Sequence, residues 1–230
     1  MVDLSGIGGT GCRIDIPKPN QGSLSLTFQG TNPANNQPVG QPNVPVSLSP
    51  KGTATFLLSF RAFGPVQIPG LQLVYSCSGE TPVAGQVGIS AVDVTFSSSP
   101  IANIFALNAT AAGNDIVTIP FSSGGAGAFA VATDNTGASS QITVSTDTGS
   151  TFLPLAVTAC QTNPATGACL ASPSSSFSIS VASGATPTFS VFATAFQPIA
   201  LSPGTSRIFL RFKNASGQEV GATSVAVQTS

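Results

Sequence analysis

Apolar and polar residues alternate along almost the whole chain with a period of two. Nowhere do apolar positions recur at i, i+3, i+4 and i+7 over twelve residues of good helix formers. In the first half the alternation runs through residues 23–28 (SLSLTF), 44–48 (VPVSL), 53–63, 71–75 (LQLVY) and 87–96 (VGISAVDVTF). It returns at 104–109 (IFALNA), 115–121, 126–133, 141–145, 152–158, 177–181 (FSISV), 188–196, 207–212 (RIFLRF) and 223–228. Gly, Pro, Asn and Asp separate these runs at the spacing of short antiparallel strands. The pattern predicts an all-β chain of two tandem immunoglobulin-like antiparallel β-sandwich domains. Their expected bounds are residues 1–98 and 101–230, joined near 97–101 (SSSPI).

The division into two rests on an internal repeat at offsets of 131 to 133 residues. Thr31-Asn32-Pro33-Ala34 matches Thr162-Asn163-Pro164-Ala165, Ala62-Phe63-Gly64-Pro65 matches Ala195-Phe196-Gln197-Pro198, and Val92 and Val94 match Val225 and Val227. Each match falls at a turn or at an inward strand position, where geometry restricts the residue. The second copy contains residues 101–133, with two or three strand-like runs (IFALNA, DIVTIPF and AFAVAT), and the first has no counterpart of them. A sandwich lacking those strands exposes core and unpaired strand edges. Three ways of covering the gap are expected, in this order: upstream sequence of a longer parent chain, a rearranged first domain, or a strand donated by a neighbouring chain.

Composition narrows the function. Lys and Arg number 7, Asp and Glu 8, and there is no His and no Trp. With 31 Ser and 24 Thr, the solvated surface is polar without being ionic. A net charge of −1 offers no cationic footprint for nucleic acid or anionic lipid, so neither is an expected partner. No apolar run reaches the length of a membrane span, and no membrane insertion is expected. The absence of His removes the commonest general base and metal ligand, so neither catalysis nor a cofactor or metal is expected. Cys12, Cys77, Cys160 and Cys169 form an even set in a charge-poor chain, which points to disulfides and an oxidising compartment. Four Cys allow three connectivities. Cys12 with Cys77 and Cys160 with Cys169 is the expected one because each bridge then closes within one repeat. The second pair lies near Phe28 and Val39 of the first copy when the copies are aligned.

Few motifs carry chemistry. Residues 6–11 (GIGGTG) satisfy G-x-G-x-x-G, but no strand precedes them and no helix follows, so they read as a flexible lead-in. Asp93, Asp115, Asp134, Asp147 and Glu219 are scattered singly, mostly at turns, and do not make a glycosidase pair. Asn108 and Asn214 fit the glycosylation acceptor pattern and receive no role. Arg207, Arg211 and Lys213 share one face of a strand, opposite Ile208, Leu210 and Phe212. They are expected on a solvated sheet face, with contact to an acidic partner or a glycan as the sharper reading.

Residues 134–149 (DNTGASSQITVSTDTG), 156–173 (AVTACQTNPATGACLASP), 184–192 (GATPTFSVF) and 207–228 together resemble a repetitive immunoglobulin-like module. It is found near the ends of large secreted or surface proteins of proteobacteria. The resemblance covers residues 101–230 well and 11–96 loosely, and it supplies no functional residues. It implies a non-catalytic extracellular module, and further strand-forming sequence ahead of a Gly-Cys pair like Gly11-Cys12. The expected function is a structural or assembly module of a bacterial surface protein or filament, self-associating by β-strand donation. Its partners would be copies of itself or other domains of a longer parent chain. The alternative is a carbohydrate-binding or adhesive module with a glycan partner, which one Tyr and no Trp disfavour.

Overall fold

The computed structural model describes residues 1–3, 5–121 and 124–230. The chain is all-β with mainly antiparallel pairing, and it divides into two compact units, Met1–Ser97 (unit 1) and Ser98–Ser230 (unit 2).

Unit 1 contains β1 (Gly9–Asp15), β2 (Leu24–Thr31), β3 (Val46–Leu48), β4 (Thr55–Ala62), β5 (Val66–Leu71), β6 (Val74–Ser76), β7 (Val83–Ala84) and β8 (Val92–Phe96). They form a four-stranded sheet in the order β3-β1-β6-β7 and two separate pairs, β2-β4 and β5-β8. Its buried cluster is small: Ile14, Ile16, Leu24, Phe28, Leu71, Leu73 and Val94. The run at 87–96 is not one strand. Gly88 has φ +81° and the Gln86 carbonyl accepts from the amides of Ile89, Ser90 and Ala91, so a tight turn takes residues 86–91 and β8 starts only at Val92.

Unit 2 contains β9 (Ile104–Thr110), β10 (Ile116–Ile119), β11 (Gly127–Asn135), β12 (Ser140–Asp147), β13 (Leu155–Thr162), β14 (Ser176–Val181), β15 (Thr188–Ala195), β16 (Arg207–Lys213) and β17 (Glu219–Thr229). A five-stranded sheet, β10-β17-β16-β12-β14, and a four-stranded sheet, β13-β15-β11-β9, enclose one core. β11 shows why the period of two folds this way. Gly127, Phe129, Val131 and Thr133 are buried, while Ala128, Ala130 and Ala132 between them face out. Gly127 is required where it stands, because a Cβ there would strike Val117 and Ile119 of β10.

Two antiparallel strand pairs, one in each unit, have the same register. Leu24 pairs with Ala62 and Thr31 with Thr55 across β2–β4; Leu155 pairs with Ala195 and Thr162 with Thr188 across β13–β15. The offsets are 131 for the first strand and 133 for the second, as in the sequence matches. In both pairs the two Thr hydroxyls lie 2.7 Å apart. In both, the turn after the first strand is held alike. The amide of Asn32 donates to Gln37 O and that of Ala34 to Asn32 Oδ1; Asn163 donates to Ala168 O and Ala165 to Asn163 Oδ1.

Candidate functional site

The shared register shows where the two units differ. In unit 2, β15 lies between β13 and β11, and β11 runs antiparallel to it, with Phe129 opposite Val191 and Val131 opposite Phe189. In unit 1 the counterpart of β15 is β4, and among the described residues no strand pairs with its far edge. The consequence is written in the burial. Phe189, Val191 and Ala193 are buried, whereas Phe56, Leu58 and Phe60, at the same places on β4, are only half-buried, and Leu57 between them is exposed. An apolar face and a row of unpaired backbone groups therefore meet along one track.

The opposite edges of these strand pairs are not left bare. Along β2, the amide of Val39 donates to Gly30 O and that of Asn43 to Phe28 O, while Phe28 N donates to Asn43 Oδ1. Along β13, Leu170 N donates to Gln161 O, and Ala159 and Ser174 exchange two bonds. The Cys160–Cys169 disulfide clips this loop in unit 2. Gln29, at the corresponding place in unit 1, donates from Nε2 to Gly40 O instead. The second bridge joins Cys12 to Cys77, with Gly9 packed against both sulfurs.

One end of the open track is occupied. Met1 and Ala54 exchange two hydrogen bonds, at 2.7 and 2.9 Å, Val2 bridges Thr53, and Asp3 N donates to Gly52 O. In unit 2 the same path is taken by the end of β11, where Thr133 N donates to Pro187 O and Asn135 N to Ala185 O. Met1–Asp3 thus lie where Thr133–Asn135 would be, and burial pushes the Met1 amine pKa down.

Asp3 fixes this short segment. Its carboxylate accepts from the Ser5 hydroxyl and from the amides of Ser5, Gly6, Gly8 and Lys51, at 2.6–3.2 Å. These donors, the Ser5 hydroxyl foremost, hold its pKa well below the ordinary carboxylate value of 3.8. A depressed folded-state pKa gives stability that is present above the unfolded value and lost as pH falls through the folded one. Acidification from about pH 4 downward, through the folded-state pKa, is therefore expected to free residues 1–3, 5–8 and 51–54 progressively. Hydrogen exchange followed by mass spectrometry reads this, and Asp3→Asn should give the same local loss at neutral pH. Unchanged exchange in that variant would remove the anchoring role.

The three cations of β16 do not form the solvated face expected of them. Arg207 is only 7% exposed, and its guanidinium donates to Ser224 Oγ, Ser224 O and Pro203 O. Desolvation lowers its pKa, countered by the charge of Asp115. Arg211 pairs with Asp147 at 2.6 Å and Glu219 at 2.9 Å, and its guanidinium lies 4.5 Å from the Phe209 ring centre. Burial works against that charge, but the two carboxylates outweigh it and its pKa ends above the ordinary value. Lys213 ends the strand, half-buried. The alternation of β16 predicted a shared face but not its coverage: long stems lie along apolar surface, and β12 and β17 bring acceptors that are remote in sequence. Asp147 and Glu219, read singly along the chain, meet at Arg211. Two carboxylates joined through a guanidinium leave no acid–base pair.

Asn108 turns its amide toward Thr223 Oγ1 and Ser224 O inside unit 2, and Asn214 braces its own turn through Gln218 and Ser216. Among the described residues no three His, Cys, Asp or Glu side chains gather as a metal site, and no helix is long and apolar enough to cross a membrane.

No family model and no curated protein matches this sequence. Among solved structures, the chain is similar to the major pilin subunit of Bacillus cereus, with 9% identity and a TM-score of 0.36 over 97% of this chain and 70% of that one. It is also similar to a serine-rich repeat protein of Streptococcus agalactiae, with 7% identity and a TM-score of 0.32 over 96% of this chain and 79% of that one.

Proposed function

We propose that this chain is a non-catalytic structural module of a bacterial cell-surface or filament protein, and that it assembles by taking a β-strand onto β4 of unit 1. The observation that carries this reading is the incompletely buried row Phe56, Leu58 and Phe60 beside an edge that no strand pairs among the described residues, at positions that are fully buried beside β11 in unit 2. β-Augmentation fits such a track, because main-chain bonds supply affinity and alternate side chains supply selectivity. Two disulfides and a surface with few charges suit an extracellular module packed against neighbours, since little ionic desolvation opposes the contact.

Hydrogen exchange on the full chain tests it. The amides of Thr55–Ala62 are expected to exchange much faster than those of Thr188–Ala195 in the isolated protein, and to become protected in the assembled state. Equal protection of the two strands in the isolated chain would mean the track is already filled, and the reading fails.

A further inference from the structure

β13 ends its sheet in unit 2, and residues 163–174 fold back along its edge. Every residue from Pro164 to Ser174 is exposed, so no buried side chain in that stretch holds the loop down. What holds it is a short set of backbone bonds and one covalent tie. Leu170 N donates to Gln161 O, Asn163 N to Ala168 O and Gly167 N to Asn163 O, and the Cys160–Cys169 bridge closes over them.

Unit 1 carries the same loop with a different tie. Val39 N donates to Gly30 O, Asn32 N to Gln37 O and Asn36 N to Asn32 O, the same three bonds at the offset shared by β2 and β13. Asn36 (φ +57°) and Gly167 (φ +71°) make the same left-handed turn. The places of Cys160, Cys169 and Ser174 are held in unit 1 by Gln29, Pro38 and Asn43. There Gln29 Nε2 donates to Gly40 O at 2.7 Å, and Asn43 Oδ1 accepts from Phe28 N at 3.1 Å. In unit 2 the Ser174 hydroxyl donates instead to Ser176 O in its own turn, and the side chain at 160 is committed to the bridge.

We propose that Cys160 and Cys169 form a redox-dependent lock, which holds the loop on the edge of β13 when oxidised and releases it when reduced. The matching tie in unit 1 contains no redox group. Without the bridge, a few exposed backbone bonds compete directly with water, and local opening costs little. Opening is a thiol–disulfide exchange with an external thiol. Its thiolate attacks Cys169 Sγ, because Cys169 is exposed whereas Cys160 is only 2% exposed, and the electron pair of the broken S–S bond leaves on Cys160. A second external thiolate removes the first from Cys169 as the external disulfide, and each protein sulfur then takes up a proton. Closing is the reverse, with a disulfide donor accepting the two electrons, and an oxidising compartment drives it. Release bares Gln161 O and the β13 edge beside it, an edge open to pairing with another chain.

The test is hydrogen exchange read by NMR on the full chain, oxidised and in dithiothreitol. The amides of Asn163, Gly167 and Leu170 should exchange roughly tenfold or more faster in dithiothreitol, while those of β11 and β15 keep their rates. Cys160→Ala/Cys169→Ala should show the faster rates without dithiothreitol, which separates this bridge from Cys12–Cys77. Cys160→Gln/Cys169→Pro/Ser174→Asn, which carries the unit 1 tie, should keep the loop protected with and without dithiothreitol. Unchanged loop rates in the reduced protein would mean that the loop needs no bridge, and the lock is overturned. Equal acceleration through β11 and β15 would make the bridge a general support of unit 2, and the lock falls as well. A triple variant whose loop is open in both conditions breaks the equivalence of the two ties and overturns the inference.

Discussion

Phe189→Ala is expected to destabilise unit 2 by about 3–5 kcal/mol, whereas Phe56→Ala should cost unit 1 roughly half as much. The two residues hold equivalent places on β15 and β4, so the comparison isolates the effect of the neighbouring strand. Phe189 is 1% exposed, with its ring 5.4 Å from that of Phe212 and 6.3 Å from that of Phe177. Removing it deletes the transfer energy of a buried ring and leaves a cavity between two well-packed sheets. Phe56 touches Phe28 edge-on at 6.0 Å, but its free side already meets water, so less area returns to solvent and no closed cavity forms. Urea unfolding of the full chain, followed by a probe for each unit, gives the two values. If the losses are equal, Phe56 is as enclosed as Phe189 and β4 has no open side. When a strand is bound along β4, the cost at Phe56 should rise toward that at Phe189.

The period of two was sufficient to read an all-β chain, because half-buried strands cannot hide their alternation. β11, β12 and β15 fall within a few residues of the runs at 126–133, 141–145 and 188–196. The failures have local causes. Phe152 opens the run at 152–158, yet it is 89% exposed and β13 begins only at Leu155, after Pro154, which has no amide to give a ladder. β5 (VQIPGL) was not read at all, since Pro69 and Gly70 look like a turn. There Gly70 sits at φ +62° and the register shifts between Ile68 and Leu71, where the carboxylate of Asp93 receives the Gly70 amide.

The candidate site was legible in one respect and hidden in another. Sliding the chain against itself aligned β2 with β13 and β4 with β15, a comparison that needs no contacts. Which edge stands bare depends on strand order, and strand order comes from pairings between residues far apart. The coverage of β2 by residues 38–43 is of that kind: a polar loop in sequence, and an edge guard in the fold through Asn43 and Val39. The cationic strand failed for the same reason. Nothing near Arg211 in sequence announces Asp147, 64 residues away.

Loss of the Cys12–Cys77 bridge is expected to unfold unit 1 selectively. The bridge spans 65 residues, and the chain-entropy model assigns it about 4 kcal/mol, against roughly 2.5 for the nine-residue span of Cys160–Cys169. The difference in consequence is larger than the difference in energy. Unit 1 has seven buried apolar residues in its main cluster, a four-stranded sheet and two isolated strand pairs, so little packing remains once the crosslink is gone. Unit 2 encloses its core between two sheets and can lose its short clip. A Cys12→Ala/Cys77→Ala chain should therefore show collapsed amide dispersion for unit 1 and native dispersion for unit 2, and Cys160→Ala/Cys169→Ala should keep both. A folded unit 1 in the first variant would mean that β1, tied to β3 and β6 by backbone pairing, holds the sheet without help. Adding a peptide of residues 124–132 (GGAGAFAVA), from β11, sharpens the experiment. A ligand that binds only the folded unit stabilises it by mass action, so peptide at a hundredfold excess over its dissociation constant supplies about 2.7 kcal/mol. That is more than half of what the bridge contributes. Partial recovery of unit 1 dispersion in the bridge-free chain would show that the open track, when filled, does part of the stabilising work that the disulfide does in the empty protein.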